Sequence, residues 1–285
     1  MIITDKEYVL SKMPIRNSDA HKGSMGTLYC ICGSFGMAGA CILAVSAALR
    51  MGLGLARIAC LRSLYGILAS ALPEAVFDIV EDTEYFTQKS IDNLAEHADS
   101  SDAVLIGCGL GLKQETREFV CSLVERLHTP ILLDADGINA VSEHISVLDR
   151  TQSSGIVVTP HPKEMSRLTG KSVAYVQKNR EQTAADFARE HGLTVVLKGR
   201  GTVIAAPGVE AFVNPTGNPG LATGGSGDVL AGMTASLMAQ GVSPHDSAVC
   251  AAFIHGSVAD VLASKTSEAY LLPSDLVKGM YLWNK

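Results

Sequence analysis

Between Asn214 and Asp228 the chain reads Asn-Pro-Thr-Gly-Asn-Pro-Gly-Leu-Ala-Thr-Gly-Gly-Ser-Gly-Asp, and an apolar helical run from Val229 to Gln240 follows. Gly224, Gly225 and Gly227 lack Cβ, so the backbone there can take positive φ and let a ligand approach closely. A helix that begins near Ser226 leaves its first amides unpaired, with the positive end of its dipole at the same place. That combination suits an anion, phosphate above all. Asp228 adds a carboxylate at the junction. Free amides for a transferring phosphoryl group, beside a base for an attacking hydroxyl, are the minimum equipment for phosphoryl transfer from a nucleotide. An isolated Gly-Ser-Gly-Asp could equally do no more than cap a helix. Three glycines within four residues, behind a second Gly/Pro turn at Thr216–Gly220, favour the functional reading.

Four further clusters carry polar chemistry, each with a plainer alternative. Thr159-Pro-His161-Pro-Lys-Glu164 suits a strand-to-helix boundary, because proline is tolerated in a first helical turn. There Glu164 either gains dipole stabilisation or orients water on Mg²⁺, while His161 either faces a substrate or holds the loop by hydrogen bonds. Lys198-Gly-Arg-Gly-Thr202 is either a glycine turn or a phosphate contact with exposed amides. Asp134 and Asp136 either bind a metal or ribose or hold neighbouring loops. Gly107-Cys-Gly109-Leu-Gly111 reads alone as a tight strand-to-helix turn. No Walker A loop is present, since Met165 stands where the glycine before Gly170-Lys171-Ser172 is required. The dinucleotide fingerprint also fails, with Leu112 in place of its third glycine.

The elements that must position these residues alternate along the chain. Strand-like runs are expected at Thr27–Cys32, Leu55–Leu61, Ala103–Ile106, Ile131–Asp134, Ile156–Thr159 and Thr194–Leu197. Helical segments are expected at Ala38–Met51, Gln114–Leu127, Pro162–Leu168, Tyr175–His191, Val229–Gln240 and His245–Ser264, with a hairpin over Thr202–Ala206 and Ala211–Val213. Near-continuous apolar strands between helices predict an α/β fold, with a large, mainly parallel central sheet flanked by helices on both faces. In such sheets ligands bind at the carboxyl ends of the strands. The polar and glycine clusters fall at those ends, which is the main organisational argument for an enzyme.

With 285 residues and no linker or repeat, a single domain over residues 1–285 is expected. A net charge of −6 speaks against nucleic-acid or anionic-membrane partners. No signal-like start is visible, so a cytoplasmic location is expected. The seven cysteines sit in apolar runs, as free thiols do in a reducing compartment, and no metal site is expected at Cys30-x-Cys32.

Taken together, the motifs resemble one family, the ADP/ATP-dependent NAD(P)H-hydrate dehydratases. The resemblance rests on His21-Lys-Gly-x-x-Gly26, Gly33-Ser34, Ala38-Gly39-Ala40, Leu72-Pro-Glu74, Gly107-x-Gly-Leu-Gly111, Leu133-Asp-Ala-Asp136, Thr159-Pro-His-Pro-x-Glu164, Leu197-Lys-Gly-x-Gly-Thr202 and Asn218–Asp228. It covers nearly the whole chain from His21, and the last segment is its most specific part. It implies a ribokinase-like fold and repair of the S-form of NADH or NADPH hydrate at the expense of ADP or ATP, with Mg²⁺. The hydrate and the nucleotide would be the partners, and a homotetramer the assembly. Some relatives carry a preceding epimerase domain, expected to be absent here. By resemblance Lys198, Gly199, Arg200, Gly201, Thr202 and Gly227 contact the nucleotide. Ala40, Gly109, His161 and Asp228 contact the hydrate. Asp228 is the base, and Gly225 and Gly227 hold the migrating charge. Cys108 departs from the pattern, standing where the family usually has proline. The alternative reading is a ribokinase-like kinase for a vitamin alcohol, which would stop at the phosphorylated product. A non-catalytic nucleotide sensor would have no use for Asp228.

Overall fold

A computed structural model describes residues 1–81 and 84–284. The strands are β1 Ile2–Ile3, β2 Thr27–Ile31, β3 Leu55–Leu61, β4 Val76–Val80, β5 Ala103–Ile106, β6 Ile131–Leu133, β7 Ile156–Val158, β8 Thr194–Leu197, β9 Val203–Ala205 and β10 Phe212–Val213. The first helices are α1 Lys6–Lys12, α2 Ala38–Arg50, α3 Tyr65–Ala71, α4 Ile91–Asp99, α5 Gln114–Arg126, α6 Asp136–Ser142 and α7 Val147–Arg150. They are followed by α8 Pro162–Thr169, α9 Val173–Lys178, α10 Arg180–His191, α11 Ser226–Ala239, α12 Pro244–Lys265 and α13 Pro273–Gly279.

One sheet runs in the order β1-β10-β9-β8-β7-β6-β5-β2-β3-β4. Its pairs from β8 through β4 are parallel, while β9 pairs antiparallel with both β8 and β10. Strands β2 and β5 to β8 are buried almost throughout, as expected for a sheet covered on both faces. Helix packing falls into two sets, α1–α3 with α11–α13 and α4–α10, which form the two covering layers. The expected α/β architecture is therefore present. α12 is long and apolar enough to cross a membrane, but two-thirds of that stretch, 67%, is buried inside the protein, as in a core helix.

α11 is seated by small residues. A Cβ on Gly232 would lie 2.0 Å from the carbonyl oxygen of Ala44 on α2, so only glycine allows this approach. Ser236 Oγ donates to Ala48 O at 2.8 Å across the same contact. At the far end of the helix, a Cβ on Gly26 would meet Ala239 O at 2.0 Å. These contacts fix the axis of α11, and with it the direction its first turn faces.

The structure corrects three expectations. The expected helix Tyr175–His191 is broken: α9 ends at Lys178, Asn179 leaves helical geometry with φ −125° and ψ 45°, and Arg180 starts α10. Of the three glycines at the α11 entrance, only Gly225 takes positive φ, at 101°. The strands also end one residue before the expected limits at Cys32, Asp134 and Thr159; Asp134 and Thr159 bond to each other beyond the sheet, while Cys32 Sγ stays on Leu105 O at 3.9 Å.

Candidate active site

The carboxyl ends of β2, β5, β6, β7 and β8 gather at one edge, and the first turn of α11 closes over them. Gly225 is the N-cap residue of α11. Its positive φ disfavours any side chain, and a Cβ there would also strike Leu43 Cδ1 at 2.6 Å. Gly227 sits inside the first turn, where a Cβ would meet only Lys198 Nζ, at 3.4 Å. The lysine ammonium thus lies against the positive end of the α11 dipole, and together they make a site for negative charge. Gly224 has open space around it and no conformational need for glycine.

Asp228 follows on that turn, half-buried. Burial, reinforced by the charge of Asp134, pushes its carboxyl up to about 6, against the opposing pull of Cys108 and Lys198. A carboxylate with that affinity is ionised at neutral pH and basic enough to accept a proton from a hydroxyl. Cys108 Sγ, Asp134 and Asp228 place one ligand atom each within 4.8 Å of one another. Cys108 Sγ lies 3.7 Å from Asp134 Oδ2.

Lys198, at the end of β8, is mostly buried. Its Nζ donates to Asp134 Oδ1 at 2.7 Å and lies 3.9 Å from Glu164 Oε2. Burial works against its charge, but Asp134 and Glu164 outweigh that and hold its proton more tightly than an ordinary lysine does. Asp134 Oδ1 also accepts from Thr159 Oγ1. Asp136 Oδ2 accepts from the Gly111 amide at 2.8 Å, so Asp136 holds the neighbouring loop. Ala135 between them has φ 48°, the one non-glycine at positive φ among the described residues. Such strain persists where surroundings over-determine it, commonly at functional sites. The approach of this loop to the next is equally tight, since a Cβ on Gly107 would meet Asp134 O at 1.8 Å.

His161 is the N-cap of α8. Its Nδ1 accepts from the Lys163 and Glu164 amides, both at 3.1 Å, and Glu164 Oε2 accepts from the His161 amide at 2.7 Å. Nδ1 as acceptor leaves the proton on Nε2, which faces Glu164 Oε1 at 3.3 Å. Burial, and then Lys198, lower the pKa of His161, so the ring is neutral. Its side chain is still 45% exposed. Burial raises Glu164 to about 7, although Lys198 pulls the other way.

Ala40 and Gly109 meet: a Cβ on Gly109 would lie 2.9 Å from the Ala40 Cβ. Gly109 has φ 70°, and its carbonyl accepts from Ser34 Oγ at 2.9 Å. Cys108 is fully buried, and Gly33 N donates to its carbonyl at 2.8 Å. Gly199, Arg200, Gly201 and Thr202 form the loop after Lys198, with Arg200 exposed and Thr202 Oγ1 donating to Gly199 O at 3.0 Å. These contacts join the expected site residues into one continuous edge.

Two motifs of the resemblance lie elsewhere. His21–Gly26 precedes β2 and Leu72–Glu74 precedes β4, at the amino ends of parallel strands. The first packs on the far end of α11, and its Gly26 is required there. Sequence reasoning missed three residues. Asp260 of α12 accepts from the Gly217 amide at 2.8 Å and from Asn218 Nδ2 at 2.9 Å, shaping the outer turn. His255 is buried beside Ser226 with Nε2 unpartnered, and burial lowers it to about 4. Arg180 backs the Lys198–Thr202 loop. None lies within a glycine- or proline-marked motif, which is the signal that found the others.

Mg²⁺ keeps several waters and takes few carboxylates. Cys108, Asp134 and Asp228 do not fit it, because Lys198 already supplies the positive charge beside them and a thiol suits softer ions. Glu164, with one oxygen held by the His161 amide and the other facing His161 Nε2, would meet Mg²⁺ only through a bridging water.

Residues 28–281 match the family model described as NAD(P)H-hydrate dehydratase. An ADP-dependent (S)-NAD(P)H-hydrate dehydratase of Neisseria meningitidis is 40% identical over 253 residues, 87% of this chain and 80% of that protein. The bifunctional NAD(P)H-hydrate repair enzyme Nnr of Moorella thermoacetica is 38% identical over 94% of this chain and 51% of its own length. The chain thus spans about half the length of the first curated relatives it matches. The crystal structure of the Bacillus subtilis ADP/ATP-dependent NAD(P)H-hydrate dehydratase, co-crystallised with ATP and Mg²⁺, superposes with a TM-score of 0.85. It is 30% identical, with 99% of this chain and 97% of that one covered. A ribokinase-like superfamily protein of Enterococcus faecalis also superposes, at a TM-score of 0.85 and 26% identity.

Proposed function

The chain belongs to the NAD(P)H-hydrate dehydratase family, and from that membership we propose that it converts the S-form of NADH or NADPH hydrate back to NAD(P)H, using ADP or ATP. It is read as one catalytic domain over residues 1–285, cytoplasmic and assembled as a homotetramer. A mass measurement in solution tests the last point.

The observation that carries the reading is the Asp228 carboxylate, raised to about 6, on the turn where Gly227 and Lys198 meet. Water is lost from the hydrate with difficulty because hydroxide is a poor leaving group, whereas phosphate is a good one. Asp228 takes the proton of the ring hydroxyl as its oxygen attacks the terminal phosphorus of the nucleotide. The bond from that phosphorus to the nucleotide's bridging oxygen breaks, leaving AMP when ADP is used. The amides of Gly225 and Gly227 and the Lys198 ammonium would face the charge that develops on the transferring group, while the Ser226 amide is held by Thr223 O at 3.2 Å. The ring-nitrogen lone pair then expels phosphate, and loss of the neighbouring ring proton restores the double bond. Ala40, Gly109 and His161 line the hydrate side, and Lys198 to Thr202 with Gly227 the nucleotide side. Mg²⁺, reached from Glu164 through water, would neutralise charge on the nucleotide phosphates.

The test is incubation of the protein with NADH hydrate, Mg²⁺ and either ADP or ATP, following the absorbance of reduced nicotinamide. Recovery of absorbance with release of phosphate supports dehydration. A stable phosphoester without NADH would instead support a kinase, and no nucleotide consumption would remove both.

A further inference from the structure

We propose that Arg180 is the positioning residue of the nucleotide loop: its guanidinium draws the loop carbonyls to one side, so that the opposite amides face the phosphates of a nucleoside di- or triphosphate. The proposal rests on the reading of Lys198–Thr202 as the nucleotide contact.

The geometry begins with the break at Asn179. A helix running unbroken from Tyr175 to His191 would continue past this point, but the turn at Asn179 makes Arg180 the first residue of α10. Arg180 Nη2 donates to Leu197 O at 2.8 Å, and its guanidinium also reaches Lys198 O at 3.3 Å and Gly201 O at 3.3 Å. Gln177 Oε1, from the end of α9, accepts from Nη1 at 3.3 Å and holds the fork from the other side. Gly199 leaves room for it: a Cβ there would lie 3.0 Å from Nη1, and its φ of 139° disfavours side chains as well.

In a planar trans peptide the carbonyl and the amide of one unit point in opposite directions. With Lys198 O and Gly201 O turned to Arg180, the amides of Gly199 and Thr202 turn away from it. The third unit shows the rule at work. Leu197 O faces Arg180, and the Lys198 amide of the same unit donates the other way, to Pro160 O at 2.9 Å. The Gly199 and Thr202 amides, presented from one glycine turn, are two donors that a phosphate oxygen can accept from. Arg180 also brings charge. Among the described residues no carboxylate pairs with it, although it is half-buried. Burial lowers its pKa, but a guanidinium remains protonated throughout the accessible range. An uncompensated cation therefore lies directly behind a loop whose amides face outward.

The test uses the full chain with Arg180→Gln and Arg180→Lys. ADP affinity is measured by calorimetry in the presence of Mg²⁺, and KM for each substrate by steady-state kinetics. Arg180→Gln is expected to weaken ADP by tenfold or more, with KM for the hydrate within twofold of wild type and the acid limb of the pH profile unmoved. Arg180→Lys keeps the charge without the planar fork and should recover part of the ADP affinity. A purely structural role would instead weaken both substrates together, and that result overturns the proposal. ADP affinity within twofold of wild type in either variant overturns it too. If Arg180→Gln fails to melt cooperatively, Arg180→Lys decides by the same criterion. ADP binding needs no turnover, so a wild type that binds ADP but leaves NADH hydrate untouched would sink the dehydratase reading while leaving this test intact.

Discussion

Replacing Asp228 by Asn should slow the enzyme and stabilise it at the same time. The side chain keeps its shape but loses its charge and its ability to take a proton. A well-placed general base contributes roughly 10²–10⁴-fold, so turnover should fall by that factor with nucleotide affinity nearly unchanged. The stability effect follows from the same burial that makes the carboxylate basic. Its affinity rises from the ordinary 3.8 to about 6 in the folded protein. Between those values the folded state binds more protons than the unfolded one, so the contribution of Asp228 to stability declines as pH rises and is lost once pH passes the folded value. Above pH 7 wild type therefore carries a buried charge held at a cost. The gap between 3.8 and about 6, at about 1.4 kcal/mol per pH unit, sets an upper value of roughly 3 kcal/mol. The open face of the residue brings this to the order of 1–2 kcal/mol, or a few degrees in Tm. The assay is a thermal melt of both proteins at pH 5 and pH 8, beside turnover on NADH hydrate. The variant should melt higher at pH 8, and the gain should shrink at pH 5, where wild-type Asp228 is itself largely protonated. Turnover within a few-fold of wild type removes Asp228 from the base role. A lower Tm at pH 8 refutes the claim that its charge is held against burial.

The remaining expectations follow from the same geometry. The kcat/KM of wild type should fall below about pH 6 with a slope of one, because only the ionised Asp228 accepts the proton; a flat profile down to pH 5 contradicts the assignment. Gly227→Ala should fold normally, since its Cβ meets only Lys198 Nζ at 3.4 Å, yet weaken nucleotide binding in calorimetry. Gly225→Ala, at φ 101° and 2.6 Å from Leu43, should lower Tm by several degrees; the reverse pattern would misplace the anion site. His161→Asn should keep the cap of α8, because Asn is a strong N-cap, and raise KM for the hydrate. His161→Ala should in addition lose about 1 kcal/mol of stability. An unchanged hydrate KM in both variants reduces His161 to a cap.

The central sheet is legible from the sequence because its strands are buried on both sides and read as short apolar runs. The edges are less so. β4 carries Asp78 at its middle and exposes Val76 and Ile79, so it shows neither continuous apolarity nor a clean alternation. Asp78 is tolerated there because Arg57 of β3 donates to it at 2.9 Å and His97 of α4 lies 3.1 Å away, partners that only the fold supplies. The break at Asn179 is invisible for a related reason. Neither side of it carries Gly or Pro, and the residue that uses the break, Arg180, bonds to carbonyls 17 to 21 positions ahead.

The site itself divides along a similar line. Glycines mark themselves in a sequence because few other residues can replace them. They mark the edge where β5, β6, β8 and α11 converge, even though Gly224 needs no such freedom and Gly26 serves packing at the opposite end of α11. Charges carry no such mark. Asp134 lies in the same short run as Asp136, and spacing alone makes them equivalent. In the fold the first is buried and bonded to Lys198, while the second is partly exposed and holds the Gly111 amide. That division matters to the chemistry. A single lysine neutralises Asp134, approaches Glu164 and rests on the first turn of α11, so Asp228 feels the carboxylates of Asp134 and Asp136 but keeps only a share of that one cation. The imbalance, with burial, is what makes Asp228 a better base than an ordinary aspartate. It depends on distances among four elements, and no local pattern in the sequence records it.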